Sequence, residues 1–288
     1  MLRVSADELG SPHPPLVLKL EQLQHAGSFK ARGAHNLLLT ADVPAAGVVA
    51  ASGGNFGLAV AHAASRLGHH AAIFVPEVAS PAKVERLRGF GAEVVVGGAF
   101  YADAYTASVE RAESTGALLA HAYDQPEVVA GAGTCAVELE EQAPEVTTVV
   151  VAVGGGGLIG GVAGWLQDGK RLVAAESTGT PTLRAALDAG EPVDVNLSGI
   201  AADSLGARRI GQLGFAAATR WVDESVLVSD DAIVGAQRRL WEQARVAAEP
   251  GGAAALAAVL SGAYVAEAEE QLAVIICGAN VDPSTLNS

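Results

Sequence analysis

The stretch Thr147–Gly161, TTVVVAVGGGGLIGG, is a β-branched apolar run that stops at four consecutive glycines and restarts as a small-residue helical pattern. A continuous run of this kind reads as a strand buried on both faces, as in a parallel sheet. Adjacent glycines let the backbone close around a phosphate without side chains in the way, and the helix that follows opens on unpaired N–H groups. On these residues alone two readings stay open. Gly155, Gly157 and Gly160 satisfy GxGxxG, and Glu176 closes the next apolar run 21 residues after Gly155, which is the dinucleotide fingerprint with its ribose-binding acid. Four glycines in mid-chain equally make a cup for one phosphate. The uncharged span from Val146 to Gln167 has about the length of a membrane helix, but the seven glycines between Gly154 and Gly164 argue for strand and turn instead.

Outward from this stretch, short apolar runs alternate with helical patterns: PLVLKLE from Pro15, GVVAA from Gly47, AAIFV from Ala71, AEVVV from Ala92, RLVAAE from Arg171 and LAVIIC from Leu272. The alternation predicts an α/β chain with mostly parallel sheets. Ser80 before Pro81 and Ser229 before Asp230 are predicted helix caps. Val48–Gly68 repeats the plan of strand, glycine turn and small-residue helix. Its turn, Ser52-Gly53-Gly54-Asn55, adds a hydroxyl and an amide to the bare N–H groups, a combination suited to a carboxylate or a ring hydroxyl.

Half of the 288 residues are hydrophobic and 17% are charged, so a large core is available and disorder is excluded. Lys and Arg number 18 against 32 Asp and Glu, a formal charge of −14, which disfavours nucleic acid and anionic membrane as partners. Two cysteines and no basic-apolar leader predict a cytoplasmic chain. The seven histidines, His13 among them, and the cysteines show no metal-ligand spacing, so no metal site is predicted. The three tryptophans read as packing residues. Lys30, between Phe29 and Ala31 at the start of a helical pattern, is either a solvated lysine or the amine of a Schiff-base site.

In order along the chain, GSFKARGAHN, SGGNFG, YDQPEVVAGAGT, VGGGGLIGG, EPGGAAALAA and CGANVD resemble the fold-type II (tryptophan synthase β-like) pyridoxal-phosphate enzymes, from about Pro15 to Pro283. Within them the chain is similar to the threonine/serine dehydratases, a group that includes serine racemases. The resemblance implies two domains, each a mostly parallel twisted sheet flanked by helices: a large one of residues 1–45 and 125–288, and a small one of 46–124 inserted in it. The cofactor, pyridoxal 5'-phosphate, is expected in the cleft between them. Lys30 would carry it covalently, with Phe29 beside it. Gly154, Gly155, Gly156, Gly157 and Leu158 would hold its phosphate. Asn55 would meet its ring hydroxyl, Cys277 would face its ring nitrogen, and Ser52, Gly53, Gly54 and Asn55 would hold the substrate carboxylate.

The implied activity is β-elimination from L-threonine or L-serine to a 2-oxo acid and ammonia, in a homodimer. Close alternatives are another β-substituted substrate, such as 3-hydroxyaspartate or an aryl serine, and weak serine racemisation. A dinucleotide-binding protein is the alternative from another class. Three departures from the family pattern matter. Gly53 stands where racemases have an acid/base serine, which predicts weak racemisation. Thr182 stands where cation-binding relatives have an acid six residues after Glu176. Cys277 replaces the usual serine, and a neutral partner for the ring nitrogen favours elimination. The lysine is followed by Ala-Arg-Gly-Ala, the dehydratase pattern. The short segment before Pro15, and the end soon after CGANVD, predict a chain without the N-terminal helix and C-terminal regulatory domain of larger relatives.

Overall fold

The computed structural model describes residues 1–9, 15–282 and 284–285. His13 and Pro283 lie outside them. Ten strands form two sheets among the described residues. The first has the order β1 (Leu2–Val4), β2 (Leu16–Leu20), β10 (Leu272–Ile276), β7 (Thr148–Ala152), β8 (Arg171–Ser177), β9 (Glu224–Val228), all parallel except β1. The second, wholly parallel, has the order β5 (Glu93–Val96), β4 (Ala71–Val75), β3 (Val48–Ala51), β6 (Leu118–Ala120). The helices are α1 (Ala6–Leu9), α2 (Lys30–Thr40), α3 (Asn55–Leu67), α4 (Pro81–Gly89), α5 (Tyr101–Thr115), α6 (Pro126–Gln142), α7 (Gly157–Leu166), α8 (Thr182–Ala189), α9 (Gln212–Trp221), α10 (Asp230–Ala244) and α11 (Pro250–Leu260).

The uninterrupted apolar runs become strands buried on both faces: every residue of β3, β4, β7 and β10 is buried. α11 shows why its sequence is alanine-rich, since Gly251 to Val259 are all buried against the large sheet and small side chains let the helix approach it closely. Ser80 and Ser229 cap their helices by accepting from the N–H groups of Lys83 and Ala232. Trp165 departs from the packing role read for it: it is 51% exposed, and its indole N–H donates to Glu140.

The segment leading to Lys30 is tied to α3 by three histidines. His62 on α3 stacks on His25 at 4.7 Å and lies 5.5 Å from His35 on α2. Its Nδ1 is buried without a hydrogen-bond partner. Burial, then His25, His35 and Arg66, pull its pKa below the ordinary 6.5. The unfolded chain therefore binds this proton more readily than the folded one, and stability falls as pH drops below about 6.5. The melting temperature is expected to decline between pH 7 and 5.5, and His62→Leu to flatten that slope. An unchanged slope in the variant would contradict the assignment.

Candidate active site

One cleft lies beyond the C-terminal ends of β7 and β10, lined by Phe29, Lys30, Asn55, Gly154–Gly157, Leu158 and Cys277, together with Ser204, Leu205, Glu249 and Gly251. Loops beyond the carboxyl ends of parallel strands are where an α/β sheet leaves room for a ligand. Here β7 delivers the glycine loop and β10 delivers Cys277. From the small sheet, β3 leads into the turn before Asn55 and β6 into residues 121–123.

Lys30 is the first residue of α2. The turn before it is clamped to the loop after β10: Phe29 N–H donates to Cys277 O, Ala279 N–H donates to Gly27 O, and Ser28 bridges Gly278. The Lys30 amine donates to Ala122 O at 2.7 Å and lies 5.1 and 5.7 Å from the ring centroids of Phe29 and Phe56. Burial lowers its pKa to about 8, against opposing pulls from Cys277 and Glu249. A neutral amine is thus accessible near neutral pH, as a nucleophile or proton acceptor requires.

The glycine loop admits no side chains. Gly156 has φ +91°, and a Cβ on Gly155 would come within 2.4 Å of the Tyr123 ring. With Gly156 as the cap of α7 and no side chain bonding its first turn, the backbone N–H groups there are left for an anion.

Asn55 opens α3. Its Nδ2 donates to Glu249 Oε1 at 2.5 Å and its Oδ1 accepts from Asn280 Nδ2 at 2.6 Å. Ser52, Gly53 and Gly54 stand outside the cleft lining, in the turn that delivers Asn55, with Gly54 N–H donating to Ser52 Oγ. The Cys277 thiol donates to Gly251 O at 3.4 Å, and burial followed by the nearby Glu249 pushes its pKa up to about 12, so it stays neutral.

Glu249, Ser204 and Leu205 are cleft residues that the sequence reading did not single out. Glu249 caps α11, and burial raises its pKa to about 7. Its one sequence signal is an acid directly before the Pro-Gly-Gly of a helix start, which an ordinary cap shares.

Glu176 is not aimed at a ribose. Its carboxylate accepts from the N–H groups of Leu183 and Arg184 and from Thr182 Oγ1, capping α8 from inside the core. This structural use of the acid removes the key support for the dinucleotide reading. Among the described residues no cluster of three or more His, Cys, Asp or Glu is placed to hold a metal, and no helix is long and apolar enough to cross a membrane.

A buried lysine amine, a side-chain-free anion cradle and a neutral thiol in one cleft fit a phosphate-bearing aldehyde such as pyridoxal phosphate. The comparisons with known proteins agree. Maize serine racemase has the same fold at a TM-score of 0.91 and 34% identity, over 99% of this chain and 89% of that one. The chain is 39% identical to the biosynthetic L-threonine dehydratase of Escherichia coli over 93% of its length, and spans only 53% of that relative. It is 37% identical to the phenylserine dehydratase of Ralstonia pickettii, over 95% of this chain and 85% of that one. The family profile described as pyridoxal-phosphate dependent enzyme matches residues 2–278, and the chain belongs to that family.

Proposed function

We propose that the chain is an L-threonine/L-serine dehydratase, an ammonia-lyase that removes the β-hydroxyl and yields a 2-oxo acid and ammonia. The observation that carries this is the Lys30 amine, set in the cleft with its pKa lowered to about 8 beside a neutral Cys277 and the glycine cradle. The relatives just described support the reaction class. Bound pyridoxal phosphate supplies the electron sink that stabilises negative charge at the substrate α-carbon.

The chain's residues do the rest. Lys30 holds the cofactor through its amine, with Phe29 alongside, and the N–H groups of Gly154 to Leu158 take the phosphate charge. Asn55 uses one amide hydrogen on Glu249 and keeps a second for the ring hydroxyl. The turn Ser52–Asn55 offers N–H groups and a hydroxyl to the substrate carboxylate. Lys30, when free, accepts the α-proton. Gly53 gives the opposite face no proton donor, so elimination is expected to exceed racemisation. On this reading the large domain is residues 1–45 with 125–288, and the small one, inserted in it, is 46–124. The reading of a cytoplasmic homodimer rests on the family resemblance and on two buried, unpaired cysteines.

The assay is 2-oxo acid release from L-serine and L-threonine; a fully loaded enzyme that releases none would overturn the reading. Cys277→Asp tests the neutral contact. A carboxylate beside Lys30 raises the amine pKa, moving the acid limb of the rate profile up by about one unit or more and cutting the rate about tenfold at pH 7. An unshifted limb and an unchanged ratio of elimination to racemisation would contradict that role.

A further inference from the structure

Asn280, three residues beyond Cys277, stands outside the cleft lining and is bonded on three sides. One Nδ2 hydrogen goes to Ala26 O at 2.8 Å and the other to Asn55 Oδ1 at 2.6 Å, while Oδ1 accepts from the Arg86 guanidinium on α4. Asn280 thereby joins the turn that leads to Lys30, the start of α3, and α4. The turn is shaped to meet it. Ala26 has φ +59°, which an L side chain rarely adopts, and a Cβ on Gly27 would come within 2.6 Å of Asn280 Oδ1.

Hydrogen counting fixes which way each amide faces. A carbonyl oxygen only accepts and a guanidinium only donates, so Ala26 O and Arg86 leave Asn280 one orientation, nitrogen towards Ala26 and oxygen towards Arg86. Its second Nδ2 hydrogen then requires an oxygen at Asn55, which turns the Asn55 nitrogen to Glu249 Oε1 at 2.5 Å. Glu249 does not enforce this by itself. Burial raises its pKa to about 7, opposed by bonds from Asn55 and the Asn280 N–H and by Arg86, and assisted by Asp203. Lys30 and Cys277 are its titratable neighbours in the cleft. A neutral carboxyl donates to an amide oxygen as readily as a carboxylate accepts from an amide nitrogen, so near neutral pH Glu249 accommodates Asn55 either way round. Asn280, with no proton to gain or lose, accommodates only one.

We propose that Asn280 is a positioning residue that fixes the Asn55 amide with its nitrogen to the cleft, so that the remaining Nδ2 hydrogen is offered to the ring hydroxyl of pyridoxal phosphate. This rests on the reading of Asn55 given above. Turned over, the amide would present oxygen, which accepts from a neutral ring hydroxyl and repels an ionised one. Asn280 thus sets the protonation of the bound cofactor as well as its affinity.

The test is titration of the apoprotein with pyridoxal phosphate, together with the visible spectrum of the bound cofactor, in wild type, Asn280→Leu and Asn280→Asp. Leucine removes both hydrogens at similar volume. Aspartate keeps the shape and the Arg86 contact but turns an oxygen to Asn55, drawing its nitrogen away from Glu249. The Kd for the cofactor is expected to rise about tenfold in Asn280→Leu, as for one lost hydrogen bond to a charged group, and further in Asn280→Asp. The shorter-wavelength band of the neutral ring hydroxyl should grow in the same order. A packing role alone predicts the reverse order, since aspartate is the closer match in shape, with an unmoved spectrum, and that result overturns the proposal. So does binding by both variants within about threefold of wild type. Each variant is decisive alone should the other fail to fold. A wild-type protein that binds no cofactor overturns instead the reading of the Lys30 cleft beneath.

Discussion

Lys30→Ala is expected to lower 2-oxo acid release from L-serine and L-threonine by at least about a thousandfold while leaving the protein folded. A positioned acid–base group contributes about 10²–10⁴-fold by itself, and the covalent attachment of the cofactor is lost with it. The fold should tolerate the change, since the amine makes one hydrogen bond, to Ala122 O, and sits where burial disfavours its charge. Its removal relieves that penalty, so the melting temperature of the apoprotein should hold or rise. Lys30→Arg should be equally inactive, because a guanidinium does not deprotonate at any working pH. Activity within tenfold of wild type in either variant would contradict the role given to Lys30.

Arg32→Met is expected to produce the largest loss of stability of any single charged-residue substitution near the site. Arg32 binds Glu21 through two hydrogen bonds, at 2.6 and 2.8 Å, and Glu138 through two more, at 2.6 and 2.9 Å, with a fifth to Thr134. Lys19 completes the group at 2.5 Å from Glu138. The Arg32 and Glu21 side chains are only 7% and 2% exposed, so removing the arginine leaves the buried Glu21 carboxylate with Lys19, at 3.7 Å, in place of two short hydrogen bonds. Breaking such a pair costs about 3–5 kcal/mol. At about 2–4 °C per kcal/mol for a domain of this size, the melting temperature should fall by roughly 10 °C. Arg32 also anchors α2 two residues beyond Lys30, so the same variant should lose activity at temperatures well below its own melting point. A melting temperature within about 2 °C of wild type would show that the cluster contributes little beyond its own desolvation cost.

Much of this architecture is written in hydrophobic runs. Seven strands announce themselves as apolar runs, six of them because most of their residues are buried; β5, at the edge of the small sheet, has the run without the burial, with Glu93 and Val96 exposed. β1, β6 and β9 escape such a reading for separate reasons. β1 and β6 have three residues each, and the sequence around β6, ALLA, is as good a helix as a strand. β9 exposes Leu227, and its pattern merges with the helices on either side.

The site is legible in part. Glycine loops declare an anion cradle locally, but the spacing of Glu176 fits a ribose-binding acid equally well. Only tertiary structure shows its oxygens turned to α8. Lys30 alone does not differ from a surface lysine, and what distinguishes it is the clamp between residues 27–29 and 277–279. Glu249 lies beyond local reading, because the start of α11 meets Asn55 and the Lys30 cleft only in the folded chain.

The central claim is that Lys30 carries pyridoxal phosphate as a Schiff base. Its most direct test is to load the purified protein with the cofactor, reduce it with borohydride and locate the adduct by peptide mass. The account predicts a single reduced pyridoxyl adduct, on the peptide containing Phe29-Lys30-Ala31. An adduct on Lys19, Lys83 or Lys170 in its place, or none after saturating cofactor, would contradict it.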